Sequence, residues 1–174
     1  MGWGNYRKGI VFYAVFMVMY LVYRFVPIFP LNLICGITES NFQHYKAGFF
    51  AYLIASLIEF GFKRRTIRNR ESFCFSRLTA TTFLPWFIFI LWYIAPAVYG
   101  KWPQVTLEII YANVIIIITG MFVATFERGL EQIAYARQLK AVILILFLVS
   151  IGLYLIFTFR LPWADVFVEP SWRG

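Results

Sequence analysis

Five stretches of the chain, 9–26, 47–62, 78–98, 109–126 and 141–159, are nearly unbroken runs of apolar residues, and most charges fall between them. Each approaches the roughly 20 residues that a helix rising about 1.5 Å per residue needs to cross about 30 Å of hydrocarbon. Period-2 alternation is missing, which argues against a transmembrane β-barrel. The pattern predicts an all-α, polytopic transmembrane helical bundle forming one domain over 1–174, with spans at about 8–26, 41–62, 76–98, 104–126 and 139–159. The first run follows Arg7 and Lys8 as that of a signal peptide does. It continues to Arg24 without a small-x-small cleavage site, so it reads as a retained helix.

Punctuation between the runs agrees with this division. Pro27 and Pro30 end the first helix, because proline lacks an amide donor and restricts its predecessor. Thr38, Glu39 and Ser40 offer capping oxygens to the second. Pro85 lies inside the third span and Pro96 near its end, which predicts a kink near Trp86. The isoleucines at 115–118 have modest helix propensity in water, yet lipid forces a backbone to satisfy its own hydrogen bonds, so the fourth span remains a helix. A polar extension of that helix is expected from Glu127 toward Gln138. The tail, 160–174, carries Trp163, Phe167 and Trp172, which predicts that it folds back at the outer interface as a cap.

Composition supports a membrane protein: 61% of residues are hydrophobic and 14% charged, against roughly 25% charged in a soluble domain. The net charge of +8 would point to nucleic acid in a soluble chain; here its placement reads as topology. Arg7 and Lys8, then Lys63, Arg64, Arg65, Arg68, Arg70 and Arg77, then Arg128, Arg137 and Lys140 all fall on one side of a five-span chain. The positive-inside rule makes that side cytoplasmic, loop 63–77 included, with the N-terminus in and the C-terminus out. The run 63–70 is first an orientation signal and second a surface for anionic headgroups or a cytoplasmic partner. Glu59, Glu127 and Glu131 are read as balancing charges of these inner loops. Cys35 and Cys74 fall at opposite faces and read as small apolar fillers.

Polar residues inside a membrane are costly and usually turn inward. Most gather at the predicted outer face: Thr38, Glu39, Ser40, Gln43, His44 and Lys46 lie within nine residues. In a regular helix Ser40 and His44 share a face with Ala47, Ala51 and Ala55, small residues that permit close helix approach. His44 therefore points into the bundle. Glu39 and Lys46 are placed to pair, or Lys46 snorkels to the headgroups. Glu108 enters the same layer from the fourth span, Arg24 from the end of the first, and Asp165 and Glu169 from the tail. As candidate ligand-binding residues we take Ser40, Gln43, His44, Lys46, Arg24, Glu108, Asp165 and Glu169. The catalytic candidates are His44, whose unperturbed pKa of about 6.5 suits proton transfer, with Glu39 or Glu108 orienting it. No cofactor or metal is assigned: the chain has no glycine-rich phosphate loop, HExxH, nucleophile elbow or haem-attachment motif.

The stretch from Thr38 through Glu39, Ser40, Gln43 and His44 to Lys46 resembles an N-E-S-x-x-E-H-x-K motif found in a family of small polytopic prokaryotic membrane proteins of unknown function. Phe157, Thr158 and Phe159, followed by Pro162, Phe167, Glu169 and Pro170, look like that family's F-T-F-x-P-P-H-x-P-L-F-x-D-P ending. The resemblance implies that the second helix and the tail share one external site. Thr38, Gln43 and Trp163 stand where the family has Asn, Glu and His, which weakens an acid–base or metal reading. The leading expectation is a non-catalytic accessory protein that binds membrane lipids, a protein partner or further copies of itself. The alternative is a membrane enzyme acting on a lipid or isoprenoid through His44. A transporter or channel ranks third, because Asn113, Thr119 and Ser56 alone populate the middle of the bundle.

Overall fold

The computed structural model describes residues 4–26, 28–36, 38, 40–100 and 104–168, without the side chains of Asn5, Tyr23, Arg24 and Asp165. Its described elements are helices: α1 (Asn5–Phe25), α2 (Leu31–Ile34), α3 (Asn41–Lys63), α4 (Arg70–Tyr99), α5 (Val105–Glu131) and α6 (Arg137–Phe159), then a 3₁₀ turn at Asp165–Phe167. Four of them, α3, α4, α5 and α6, are long and apolar enough to cross a membrane.

Two boundaries differ from the sequence reading. The third long helix begins at Arg70 rather than near 76, because Asn69 accepts hydrogen bonds from the amides of Glu71 and Ser72 and so caps it. The polar segment after it is therefore helical, not loop. The fourth does carry the expected polar extension past 126 but stops at Glu131 rather than near Gln138, and a short helix, α2, forms in the connection after α1. Helix α4 runs through Pro85 and Pro96 and stops at Gly100, whose φ of 77° favours glycine.

Helices α1, α3, α4 and α5 form a four-membered ring in which α1 packs on α3 and α5, and α4 packs on α3 and α5. Neighbours in the ring run antiparallel. Between them lies an aromatic and aliphatic core that includes Phe12, Phe16, Phe49, Tyr52, Leu84 and Val123. The alanines 47, 51 and 55 of α3 are buried, as the small-residue face predicts. Between α1 and α5 the approach is close enough that a Cβ on Gly120 would lie 2.4 Å from the Phe12 ring. Helix α6 sits outside, against α4 and, through Phe147 and Tyr154 on Phe49, against α3. Only Ile143 and Thr158 of α6 are buried, while Leu144, Ile145, Leu148 and Val149 stay exposed.

Candidate functional site: two polar layers

At the end of the bundle where α3 begins, Ser40, Asn41, Gln43 and Lys46 are all buried. Lys46 corrects the snorkelling expectation. Its side chain turns inward, and its Nζ donates to the carbonyl of Asn32, 2.8 Å away, and to Thr158 Oγ1, 3.0 Å away. The ammonium thereby ties α3 to α2 and α6. His44 faces α1, its ring centroid 6.0 Å from that of Tyr20 and 6.5 Å from that of Phe16. Its Nδ1 lies 2.9 Å from the carbonyl of Ser40, an arrangement in which a protonated Nδ1 donates. Glu108 is half-buried in the first turn of α5. Among the described residues no hydrogen bond or ion pair joins it to His44, because α3 and α5 are diagonal in the ring. Glu39 and Glu169 lie outside the described residues, and the backbones alone of Arg24 and Asp165 are described.

The tail closes this end with Phe167. Its ring centroid stands 4.6 Å from that of Phe42 and 5.4 Å from that of Phe157, while Phe42 and Phe157 are 5.9 Å apart. Trp163 does not share in this packing and is 96% exposed. Cys35 is buried beneath the layer, and burial pushes its thiol pKa up against the opposing pull of Lys46. Asn32 Oδ1 and Asn41 Nδ2 are buried here without a hydrogen-bond partner among the described residues.

The opposite end holds a site that the sequence reading misplaced. Lys8 of α1, Glu59 of α3, Arg77 of α4 and Glu127 of α5 are each no more than 5% exposed. Around the helical ring their charges alternate, and every neighbouring pair is bridged. Lys8 Nζ is 2.8 Å from Glu59 Oε2, Glu59 Oε1 is 3.1 Å from Arg77 Nη2, and Arg77 Nε is 3.2 Å from Glu127 Oε1. Glu127 Oε2 returns to Lys8 Nζ and closes the circuit. A carboxylate or ammonium buried alone would be strongly destabilising; in this ring each charge has an opposite charge on both sides. Further groups satisfy what remains. Tyr52 donates to Glu127 Oε2 at 3.0 Å, Lys63 to Glu59 at 2.7 Å, and Arg77 Nη1 to Glu131 at 2.6 Å. The Arg77 guanidinium also lies over the Phe73 ring, 3.5 Å from its centroid.

Glu59 and Glu127 are therefore not charges balancing solvated loops. Nor are Lys8 and Arg77 merely members of basic segments. The ring was traceable in principle: Glu59 continues the Ala47, Ala51, Ala55 stripe by one more turn, and a carboxylate on a buried face requires a buried cation. One turn from Arg77 and Glu59 on the same helices, Thr81 Oγ1 and Ser56 Oγ are buried without a partner among the described residues, as is Thr119 Oγ1 on α5. Outside the ring, a depression of about 800 Å³ is lined by Arg68, Asn69, Arg70, Glu131 and Gln132. Among the described residues no three His, Cys, Asp or Glu side chains gather as a metal-binding group.

Fold and site together define an all-helical protein with four membrane-length apolar helices and a closed charge ring in its interior. Comparison with known protein families, curated proteins and solved structures gives no match.

Proposed function

We propose that this is a non-catalytic integral membrane protein, crossing the bilayer five times with α1 as the first span, whose outer polar layer binds the polar group of a membrane lipid. The observation that carries this reading is the pair of buried amide atoms, Asn32 Oδ1 and Asn41 Nδ2, that have no partner among the described residues, at the end of the bundle where the Lys46 ammonium is also buried. Buried polar atoms are nearly always hydrogen-bonded, so an unsatisfied donor and an unsatisfied acceptor at the end that also buries an ammonium favour a polar ligand there. His44 supports binding over catalysis, since Nδ1 is engaged by its own helix. The resemblance to the small membrane-protein family, which joins the start of α3 to the tail, agrees with a site at this end, and the packing of Phe42 on Phe167 supports the same grouping.

The charge distribution supports the orientation. The basic connections at the ring end fit the cytoplasmic side of a cell membrane, which puts the Lys46 layer outside. Lipid hydrocarbon would cover the exposed face of α6.

Native mass spectrometry of protein released from lipid nanodiscs tests the proposal. One lipid should survive desolvation on the wild-type monomer. Asn41→Leu should reduce its retention about tenfold, the loss expected when a buried hydrogen bond to a ligand is removed. A lipid-free wild-type monomer with unchanged melting would overturn the reading, and a stable homodimer without lipid would replace it by self-association.

A further inference from the structure

We propose a second, independent site at the ring end: the depression lined by Arg68, Asn69, Arg70, Glu131 and Gln132 binds a phosphate-bearing anion. The proposal goes beyond the outer layer and does not depend on it. Arg68 and Arg70 flank Asn69, all three are exposed, and among the described residues neither arginine has a carboxylate partner. Guanidinium groups present paired donors that match two phosphate oxygens at once. The site also adjoins the start of α4, where the amides of Glu71 and Ser72 are taken by Asn69 and the Glu71 carboxylate pairs with Lys140, so the arginines rather than the helix end supply the attraction.

The one carboxylate in the lining is partly offset, and the two arginines outnumber it. Glu131 Oε2 is 2.6 Å from Arg77 Nη1, which draws one of its oxygens toward the buried ring while the side chain still lines the depression. Asn69 Oδ1 is likewise occupied by the α4 amides, and the Gln132 amide remains as a neutral donor. Four more basic residues, Lys63, Arg64, Arg65 and Arg128, lie nearby in sequence but do not line the site. That distinction separates a pocket from a diffuse basic surface. A diffuse surface attracts anions by summed charge, and any two arginines contribute alike. A pocket depends on the two that converge on it.

Two sources can supply such an anion, an anionic phospholipid headgroup or a soluble phosphate, and the test treats them separately. All proteins carry Asn41→Leu, so that lipid at the outer layer is not counted. In the first arm, the double variants R68A/R70A and R64A/R65A are taken from nanodiscs containing phosphatidylglycerol and phosphatidylcholine, and retained phosphatidylglycerol is counted by native mass spectrometry. In the second, both are melted in neutral detergent with inorganic phosphate or with chloride at equal ionic strength. We expect R68A/R70A to lose phosphatidylglycerol at least about tenfold while R64A/R65A stays within about twofold. If instead only the phosphate-dependent rise in melting is lost, and only in R68A/R70A, the pocket stands with a soluble phosphate as its ligand. Equal losses in the two double variants, or no anion effect in either arm, overturn the proposal.

Discussion

The two ends of the bundle solve the burial of charge in opposite ways. At the ring end two cations and two anions, one from each of four helices, satisfy one another around a closed circuit. At the other end a single ammonium, that of Lys46, is held by a carbonyl and a hydroxyl, with amide atoms left over and an aromatic lid above. The first arrangement is complete and works as structure. The second leaves polar atoms unsatisfied among the described residues, which is what our proposed ligand would answer. Charge density alone would have ranked them the other way round as candidate sites.

The sharpest way to break this contrast is to open the ring. Arg77→Met leaves Glu59 and Glu127 buried with one cation between them, and should destabilise the protein by about 3–5 kcal/mol, as removal of one member of a buried pair does. Removing Arg77 and Glu127 together leaves Lys8 and Glu59 as a neutral couple. The double variant should therefore cost less than the sum of its singles by at least about 1 kcal/mol, read from denaturation in detergent. Additive costs would mean that the four charges do not act as one unit.

A smaller effect is expected from the aromatic lid. Deleting 161–174 removes Phe167 from between Phe42 and Phe157 and should cost about 1–3 kcal/mol, as partial loss of a packed phenylalanine does. A cysteine introduced at position 44, in a background lacking the exposed Cys74, should then react faster with a membrane-impermeant maleimide. Equal labelling of full-length and truncated protein would show that the tail does not guard the layer.

The smallest change concerns the partnerless hydroxyls between the layers. Thr81→Val and Thr119→Val remove oxygens that no described group satisfies, so stability should hold within about 1 kcal/mol or rise. A large loss in either variant would reveal bound water or ligand along the bundle interior and would bring the transporter reading forward.

Hydropathy located the long helices well, since α3, α5 and α6 begin or end within a few residues of the expected spans. It failed where helix and apolar run part company. The first turns of α4 carry Arg70, Glu71, Ser72 and Arg77, so their helicity depends on the Asn69 cap and on contacts that a hydropathy profile does not register. Helix α2, four residues long, leaves no periodic signal. The outer candidates were found because they cluster in sequence. The ring was not, because its partners are 18, 51 and 119 positions apart and each alone resembles an ordinary interfacial charge. Lys46 was misread for a related reason: its acceptors, a backbone carbonyl of α2 and a hydroxyl of α6, carry no charge to announce them.

The closed circuit also bears on how the chain is made. Lys8 is made well before its partner Glu127, which follows 119 residues later. Until the fifth helix is in place, Lys8, Glu59 and Arg77 carry an uncancelled positive charge at what becomes the core. Helix α6, which follows α5, contributes no member to that ring. Lys8 and Glu59 can cancel once α3 is made, Arg77 of α4 upsets that balance, and Glu127 of α5 restores it, so the circuit closes only with the last of its four helices. A chain arrested between Arg77 and Glu127 would keep one cation unmatched among its packed helices, which gives an incomplete product a different charge state at its core from the full set of four.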